Sequence, residues 1–377
     1  MKIVIAPDSF KESLSAKQVA QSIAKGIGKV IPEAEIVQIP VSDGGEGLLD
    51  ALIEPLGGEI ISVEVKDPLL RNIHAAFGIL EDKKTGIIEM ATASGLELLT
   101  ESEKNPLITS TFGTGQLIKE ALDRGCSIII IGLGGSATND GGIGMIKALG
   151  GKFLNKKREE IGDGGGGLDK LYSIDLSNFD QRIAQCEIIA ACDVSNPLTG
   201  INGASLVYGA QKGGSPQELE QLDRNLSHYA SVIRSGIGID IDTPAGAGAA
   251  GGLGAALLGF FNAKLISGID LIIESLELER HVKDADLVIT GEGKIDGQTL
   301  QGKTVLGVAA IAKKHNVPVI AIAGKVGDGI DEIYDLGVTS IFSITDQPMQ
   351  LEEAMEQADI LIQSCIENIM RIVKYIL

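Results

Sequence analysis

Five stretches concentrate the residues that could do chemistry. They are Asp8-Ser9-Phe10-Lys11, Ser42-Asp43-Gly44-Gly45-Glu46, Gly134 to Gly142, Asp193-Val194-Ser195-Asn196-Pro197 and Gly291-Glu292-Gly293-Lys294-Ile295-Asp296. Each follows a short apolar run that reads as a strand, and open α/β folds bind ligands at the carboxyl ends of their strands. The inventory is carboxylates, lysines, small hydroxyls and glycines with exposed amides. That set suits phosphoryl transfer. Such chemistry needs a divalent cation held by carboxylates, amides and lysines on the phosphates, and an Asp to take the acceptor's proton. Each residue alone also suits a plainer role: Asp8 and Asp43 as helix caps or turn residues, Asp193 as an Asx-turn, Lys11 as a solvated side chain. The constellation is harder to explain that way than its parts.

The longest of these loops follows Ile128 to Ile131 and runs through Gly132, Gly134, Gly135, Ser136, Ala137, Thr138, Asn139, Asp140, Gly141 and Gly142. A loop with so few side chains lets backbone approach an anion closely. Gly132 to Ala137 also matches G-x-G-x-x-A, the dinucleotide fingerprint. The acidic residue expected about twenty positions on is missing, because Lys152 to Lys157 occupies that region. A second string, Gly297 to Thr304, spells G-x-x-x-x-G-K-T. A P-loop needs its first glycine at the strand end, and here GEGKID intervenes after Thr290. Lys303 keeps its candidacy as a phosphate contact through its place in a polar strand-end segment.

Composition narrows the classes further. The chain has 377 residues, 32 basic against 51 acidic side chains, and a net charge of −19, which disfavours nucleic acid and anionic membrane as partners. His74, His228, His281 and His315 all lie outside the loops. Cys126, Cys186, Cys192 and Cys365 show no CxxC spacing and read as buried free thiols. A zinc site or a thiol nucleophile is therefore not expected. No leader or membrane-spanning stretch is read, and a cytoplasmic location is expected.

The elements that must position these loops are α/β in style. Met1 to Pro7 and Glu35 to Val41 read as strands, with a helix between them opened by the capping box Ser15-Ala16-Lys17-Gln18. That unit predicts a parallel sheet. Residues 59–89 change style to a meander of closely spaced strands, either an antiparallel portion or a crossing into another domain. Gly162 to Gly167 reads as a flexible surface loop. The closing strands 285–290, 318–323 and 339–344 return to the style of the first two. Residues 1–66 plus 284–377 are therefore expected to form one discontinuous Rossmann-like α/β domain with a parallel sheet. Residues 67–283 form a second, inserted α/β domain, and the active-site cleft is expected between the two.

The strings APDSFKESLSA, PVSDGGEGLLDAL, IIEMATASGLELL, STFGTGQLIKEALDRG, IGLGGSATNDGGIGMIKALG, ACDVSNPLTG, GASLVYGAQKG, AGAGAAGGLGAAL and ADLVITGEGKIDGQTLQGKT run the length of the chain. Together they resemble the type I glycerate kinase family, with GGSATNDGG and TGEGKIDGQT the most specific. Two departures from its pattern are Pro244-Ala245-Gly246 and Lys104 before Asn105-Pro106, where an Arg is frequent. The resemblance implies an ATP-dependent kinase that phosphorylates D-glycerate, usually to the 2-phosphate, with Mg²⁺ as cofactor. It also implies two α/β domains, the middle one inserted into the other. On that basis Gly134, Gly135, Ser136, Thr138, Asp140, Glu292 and Lys303 are expected to meet nucleotide or phosphate. Asp193 and Asp43 are expected as metal ligands or base, and Lys11 as a catalytic lysine. Ser9, Asp8 and Arg71 are expected around glycerate. The 3-phosphate as product, a dinucleotide-dependent hydroxy-acid oxidoreductase and a non-catalytic anion sensor are the alternatives. Both a monomer and a homodimer are compatible with the sequence.

Overall fold

The alternation of short β-branched runs with amphipathic helices produces two parallel-rich sheets, each with its own core. The computed structural model describes residues 1–42, 47–297, 299–300 and 304–376. In chain order the strands are β1 (Lys2–Ile5), β2 (Glu35–Gln38), β3 (Gly58–Lys66), β4 (Asn72–Leu80), β5 (Thr85–Glu89), β6 (Ile128–Gly132), β7 (Lys152–Leu154), β8 (Ser173–Asp175), β9 (Glu187–Ala191), β10 (Lys264–Ile266), β11 (Leu287–Ile295), β12 (Val319–Val326) and β13 (Ser340–Ser343). Residues fall into two compact units, Met1–Asp43 with Ile269–Leu377, and Gly44–Gly268. No helix among the described residues is long and apolar enough to cross a membrane.

The unit built from both chain ends holds a five-stranded sheet in the order β13-β12-β11-β1-β2, parallel throughout. Ile3, Val4 and Ile5 are all buried, as a strand covered on both faces requires. One face packs Ile3, Ile5, Ile289 and Ile322 against Val19, Ile23 and Ile27 of the helix Ala16–Val30 and Ile362 and Ile366 of the helix Ala358–Ile376. The predicted capping box is present: Ser15 Oγ accepts from the Gln18 amide at 3.3 Å and Gln18 Oε1 from the Ser15 amide at 2.9 Å.

β11 departs from the sequence reading, which ended it near Thr290. It continues through Gly291, Glu292, Gly293 and Lys294 to Ile295 because β12 runs beside it and pairs with it to the end, Ile295 opposite Val326. Glu292 therefore sits in a strand.

The second unit holds a six-stranded sheet ordered β10-β9-β6-β5-β4-β3. β3, β4 and β5 form an antiparallel meander, while β5, β6, β9 and β10 are parallel. β3 pairs with β4 over its whole length, from Gly58–Leu80 to Lys66–Asn72. Residues 58–66 thus share this sheet, although the style of the sequence grouped them with the chain ends. β6, the isoleucine strand, lies centrally between β5 and β9, and Ile129 and Ile131 enter the core with Leu117, Ile118, Met145 and Ile146.

Gly162 and Asp163 are exposed, as a surface loop would be, but the stretch 164–167 is packed. Gly164 and Gly165 are buried, and a Cβ on Gly165 would stand 2.3 Å from the Asn139 carbonyl oxygen. Asn225 Nδ2 donates to the Gly165 carbonyl at 2.9 Å.

The helix Phe112–Asp123 crosses Ile143–Ala148 through Gly115, where an added Cβ would lie 2.3 Å from the Met145 carbonyl oxygen. Alanine normally gains up to about 1 kcal/mol over glycine in a helix. Overpacking against backbone costs about 1–3 kcal/mol and wins here. Gly115→Ala is expected to lower the urea-unfolding midpoint; a midpoint at or above wild type would contradict this packing.

Candidate active site

The glycine loop after β6 is shaped by what its amides and side chains bond. Its stem is pinned on one side: the Leu96 amide donates to the Gly135 carbonyl and the Ala137 amide to the Ser94 carbonyl, both at 2.9 Å. Beyond Ala137 the loop dives inward. Thr138, Asn139 and Asp140 are fully buried. The Asp140 carboxylate accepts four bonds: from the Thr111 amide and Thr111 Oγ1, each at 2.9 Å, and from the amides of Gly142 at 3.0 Å and Gly144 at 3.2 Å. Burial pushes its carboxyl up, and the four donors pull the other way. Asp140 is thus an internal organiser of the loop.

The exposed part of the loop is its crest. Gly135 is solvent-exposed at φ +71°, and the amides of Gly134 and Gly135 make no hydrogen bond among the described residues. Two unbonded amides beside a serine are the kind of backbone that can receive an anion.

Beneath the crest lies a residue that the loop's own sequence does not announce. Lys212 is 2% exposed, and its Nζ donates to Ser136 Oγ at 2.8 Å and to the Thr138 carbonyl at 2.7 Å. Burial lowers its ammonium to about 7, against an opposing pull from Asp140. The Thr138 and Asn139 side chains next to it keep one buried oxygen each, Oγ1 and Oδ1, without a hydrogen-bond partner.

Other predicted residues of this unit stand apart from that buried cluster. Asp193 is exposed just past β9 and accepts from the Gly268 amide at 3.1 Å. The Arg71 guanidinium is engaged: Nε donates to Asp67 at 2.5 Å, one terminal nitrogen to Glu103 at 2.6 Å and the other to the Leu98 carbonyl at 3.4 Å. Asp67, 1% exposed, also accepts the amides of Leu69 and Arg71. Arg71 therefore fastens the turn between β3 and β4.

The chain-end unit gathers a second group. Asp8 follows β1, its amide donating to the Gly291 carbonyl at 2.8 Å and its Oδ1 accepting from the Ser9 amide at 2.6 Å. The Phe10–Lys11 backbone lies over Gly293 of β11, and the Lys11 side chain is exposed. Glu292 accepts from Thr299 Oγ1 at 2.7 Å. Its carboxyl is raised to about 7, chiefly by burial and further by Asp8 and Asp296, while Thr299 and Lys11 oppose the rise. Asp296 in turn pairs with Lys294. Sequence spacing had placed Asp8, Lys11, Glu292 and Asp296 in strand-end segments far apart in the chain; the neighbouring positions of β1 and β11 bring them within one another's field. Asp43 and Lys303 lie outside the described residues.

Among the described residues, no group of three or more His, Cys, Asp or Glu side chains is placed to hold a metal ion. Mg²⁺ needs only one or two carboxylates when phosphate oxygens and water complete its shell. The Asp8, Glu292 and Asp296 group offers oxygen donors alone, which fits that ion by type. The four cysteines form no disulfide, and Cys126 is buried while Cys186, Cys192 and Cys365 are only half-buried, against the expectation that all would be buried; partial burial still pushes the Cys186 and Cys365 thiols up to about 11, which suits inert thiols. His228 and His315 bond the Leu171 carbonyl at 2.7 Å and Glu279 at 2.8 Å.

A glycine crest with unbonded amides and, in the other unit, a carboxylate–lysine group at parallel strand ends are features that phosphoryl-transfer enzymes use. The family model described as the glycerate kinase family matches residues 3–374. The chain is 50% identical to a glycerate kinase of Halalkalibacterium halodurans over 367 residues, 97% of each protein. It is 50% identical to the glycerate 2-kinase of Escherichia coli over 358 residues, 95% of this chain and 94% of that one. The solved structure of a Salmonella typhimurium LT2 protein named glycerate kinase 2 superposes with a TM-score of 0.91 at 46% identity, covering 100% of this chain and 98% of the other. The chain belongs to the glycerate kinase family.

Glu292 gives a pH prediction. Its carboxyl in the folded protein, at about 7, lies above the ordinary 4.5. The folded state therefore holds that proton more tightly. The stability it contributes is full below 4.5 and is lost as pH rises through about 7. Unfolding free energy measured without nucleotide should decline across that window, and Glu292→Gln should decline less. Parallel curves for the two proteins would refute the assignment.

Proposed function

We propose that the protein transfers the γ-phosphoryl group of ATP to the 2-hydroxyl of D-glycerate, giving 2-phospho-D-glycerate. Membership of the glycerate kinase family over residues 3–374 carries this reading, and the name of the Escherichia coli relative supports the 2-position. Phosphoryl transfer asks the protein mainly for positioning and charge stabilisation. The unbonded amides of Gly134 and Gly135, with Ser136, are assigned to phosphate oxygens. Lys11 and Ser9, beside Asp8, are assigned to the glycerate carboxylate. Asp193, exposed past β9, supplies a carboxylate as base for the glycerate hydroxyl or as a cation ligand. Mg²⁺, when bound, neutralises phosphate charge that the carboxylates would otherwise repel.

Two measurements test this. With ATP, Mg²⁺ and D-glycerate, the purified protein should form ADP and 2-phosphoglycerate, with the 3-phosphate separated as the competing product. No ADP would remove the reading, and 3-phosphoglycerate alone would move the reaction to the other hydroxyl. Asp193→Asn then separates its two roles. Loss of a general base lowers kcat by about 10²–10⁴ at any Mg²⁺ level. Loss of a cation ligand instead leaves activity that recovers as Mg²⁺ is raised. Wild-type kinetics would exclude both.

A further inference from the structure

Lys212 is a costly residue to place where it is. A lysine is almost never fully buried without a charged partner, and removing an ammonium from water costs several kcal/mol. No carboxylate lies within salt-bridge distance of its Nζ among the described residues; its direct partners are Ser136 Oγ and the Thr138 carbonyl. Asp140 acts on it through the field alone. A methionine would fill the same space without that cost, so packing does not call for an ammonium here.

What the ammonium adds is direction. Lys Nζ only donates, whereas a serine hydroxyl can accept and also donate once. Ser136 Oγ accepts from Lys212, so its own proton is left to point elsewhere, and Ser136, 8% exposed, stands at the lip of the crest. The second bond fixes the Thr138 carbonyl inward, which sets the course of the backbone just past Gly134 and Gly135. A positive charge beneath these amides also strengthens their attraction for an anion, because it acts through a poorly screened interior.

We propose that Lys212 is a positioning residue for the nucleotide's phosphates, turning the Ser136 hydroxyl and the Gly134–Gly135 amides outward from below. The proposal rests on the reading that this crest meets phosphate, and the two can fail separately. In the wild-type protein, ATP should slow amide hydrogen exchange across residues 133–137; no slowing overturns the crest reading itself, and the proposal with it.

Lys212→Met should raise KM for ATP about tenfold or more, the loss of one charge-assisted hydrogen bond. KM for D-glycerate should stay within about twofold of wild type, a split that a general loss of folded protein does not produce. Ser136→Ala should move KM for ATP in the same direction. Combined with Lys212→Met it should add little, since both act through one hydroxyl. Slowed exchange in wild type together with an unchanged KM for ATP in Lys212→Met overturns the role of Lys212 alone. Additive effects in the double variant overturn the route through Ser136. If Lys212→Met fails to fold, Ser136→Ala decides, and an unchanged KM for ATP there overturns the proposal.

Discussion

The buried carboxylate of Asp140 is the constraint on which the glycine loop depends. It caps two helices at once. The Thr111 amide and hydroxyl tie it to the start of Phe112–Asp123, and the amides of Gly142 and Gly144 tie it to the start of Ile143–Ala148. Helix starts leave amides unpaired and carry partial positive charge, so an anion there satisfies both needs. Hydrogen bonds to a charged group contribute about 1.5–3 kcal/mol each, and four of them can offset a burial cost of several kcal/mol. Thr111 Oγ1 also accepts from the Met145 amide at 2.9 Å, which closes the network between the two helices.

With its inner half locked, the loop has a rigid base and a bare crest. The packing of Gly165 against Asn139 and of Gly251 against the Thr138 carbonyl closes the base from other directions. Lys212 then sits below the crest with a charge opposite to that of Asp140. The two charges have different surroundings. Asp140 is surrounded by donors that were already needed to cap helices. Lys212 meets neutral oxygens, and its ammonium is correspondingly depressed. A charge held against such a gradient is expected at a functional site more than in a structural core.

The sequence showed well what is local or periodic. The isoleucine run gave β6, Ser15 and Gln18 gave the capping box, and the absent acidic partner after Gly132 separated the loop from a dinucleotide turn. What it hid depends on long-range pairing. Asp140 and Asp8 look alike in the chain, each in a polar strand-end segment, yet one caps helices in the interior and the other lies partly exposed beside a strand. Glu292 reads as a loop residue until β12 supplies a partner along its full length. Gly162 to Gly167 carries the composition of a flexible loop, although Gly164, Gly165 and Gly166 let Leu107 and Asn139 approach. Lys212 gave one usable signal, a lone lysine within the apolar and glycine-rich run GASLVYGAQKGG, but its partner lies 76 positions away.

A protein of net charge −19 must handle anionic ligands by local means. Long-range attraction is unavailable to it, since the summed field repels phosphate. Unbonded backbone amides such as those at the crest are one local means open to it, since amides do not titrate and carry no net charge. The carboxylates near β1 and β11 present the opposite situation. Asp8 and Asp296 raise the Glu292 carboxyl because like charges crowd together in a partly desolvated place. That same crowding means a cation arriving there relieves repulsion as well as gaining attraction. An acidic group of this kind repels a bare phosphate, and any cation that accompanies the phosphate lowers that repulsion.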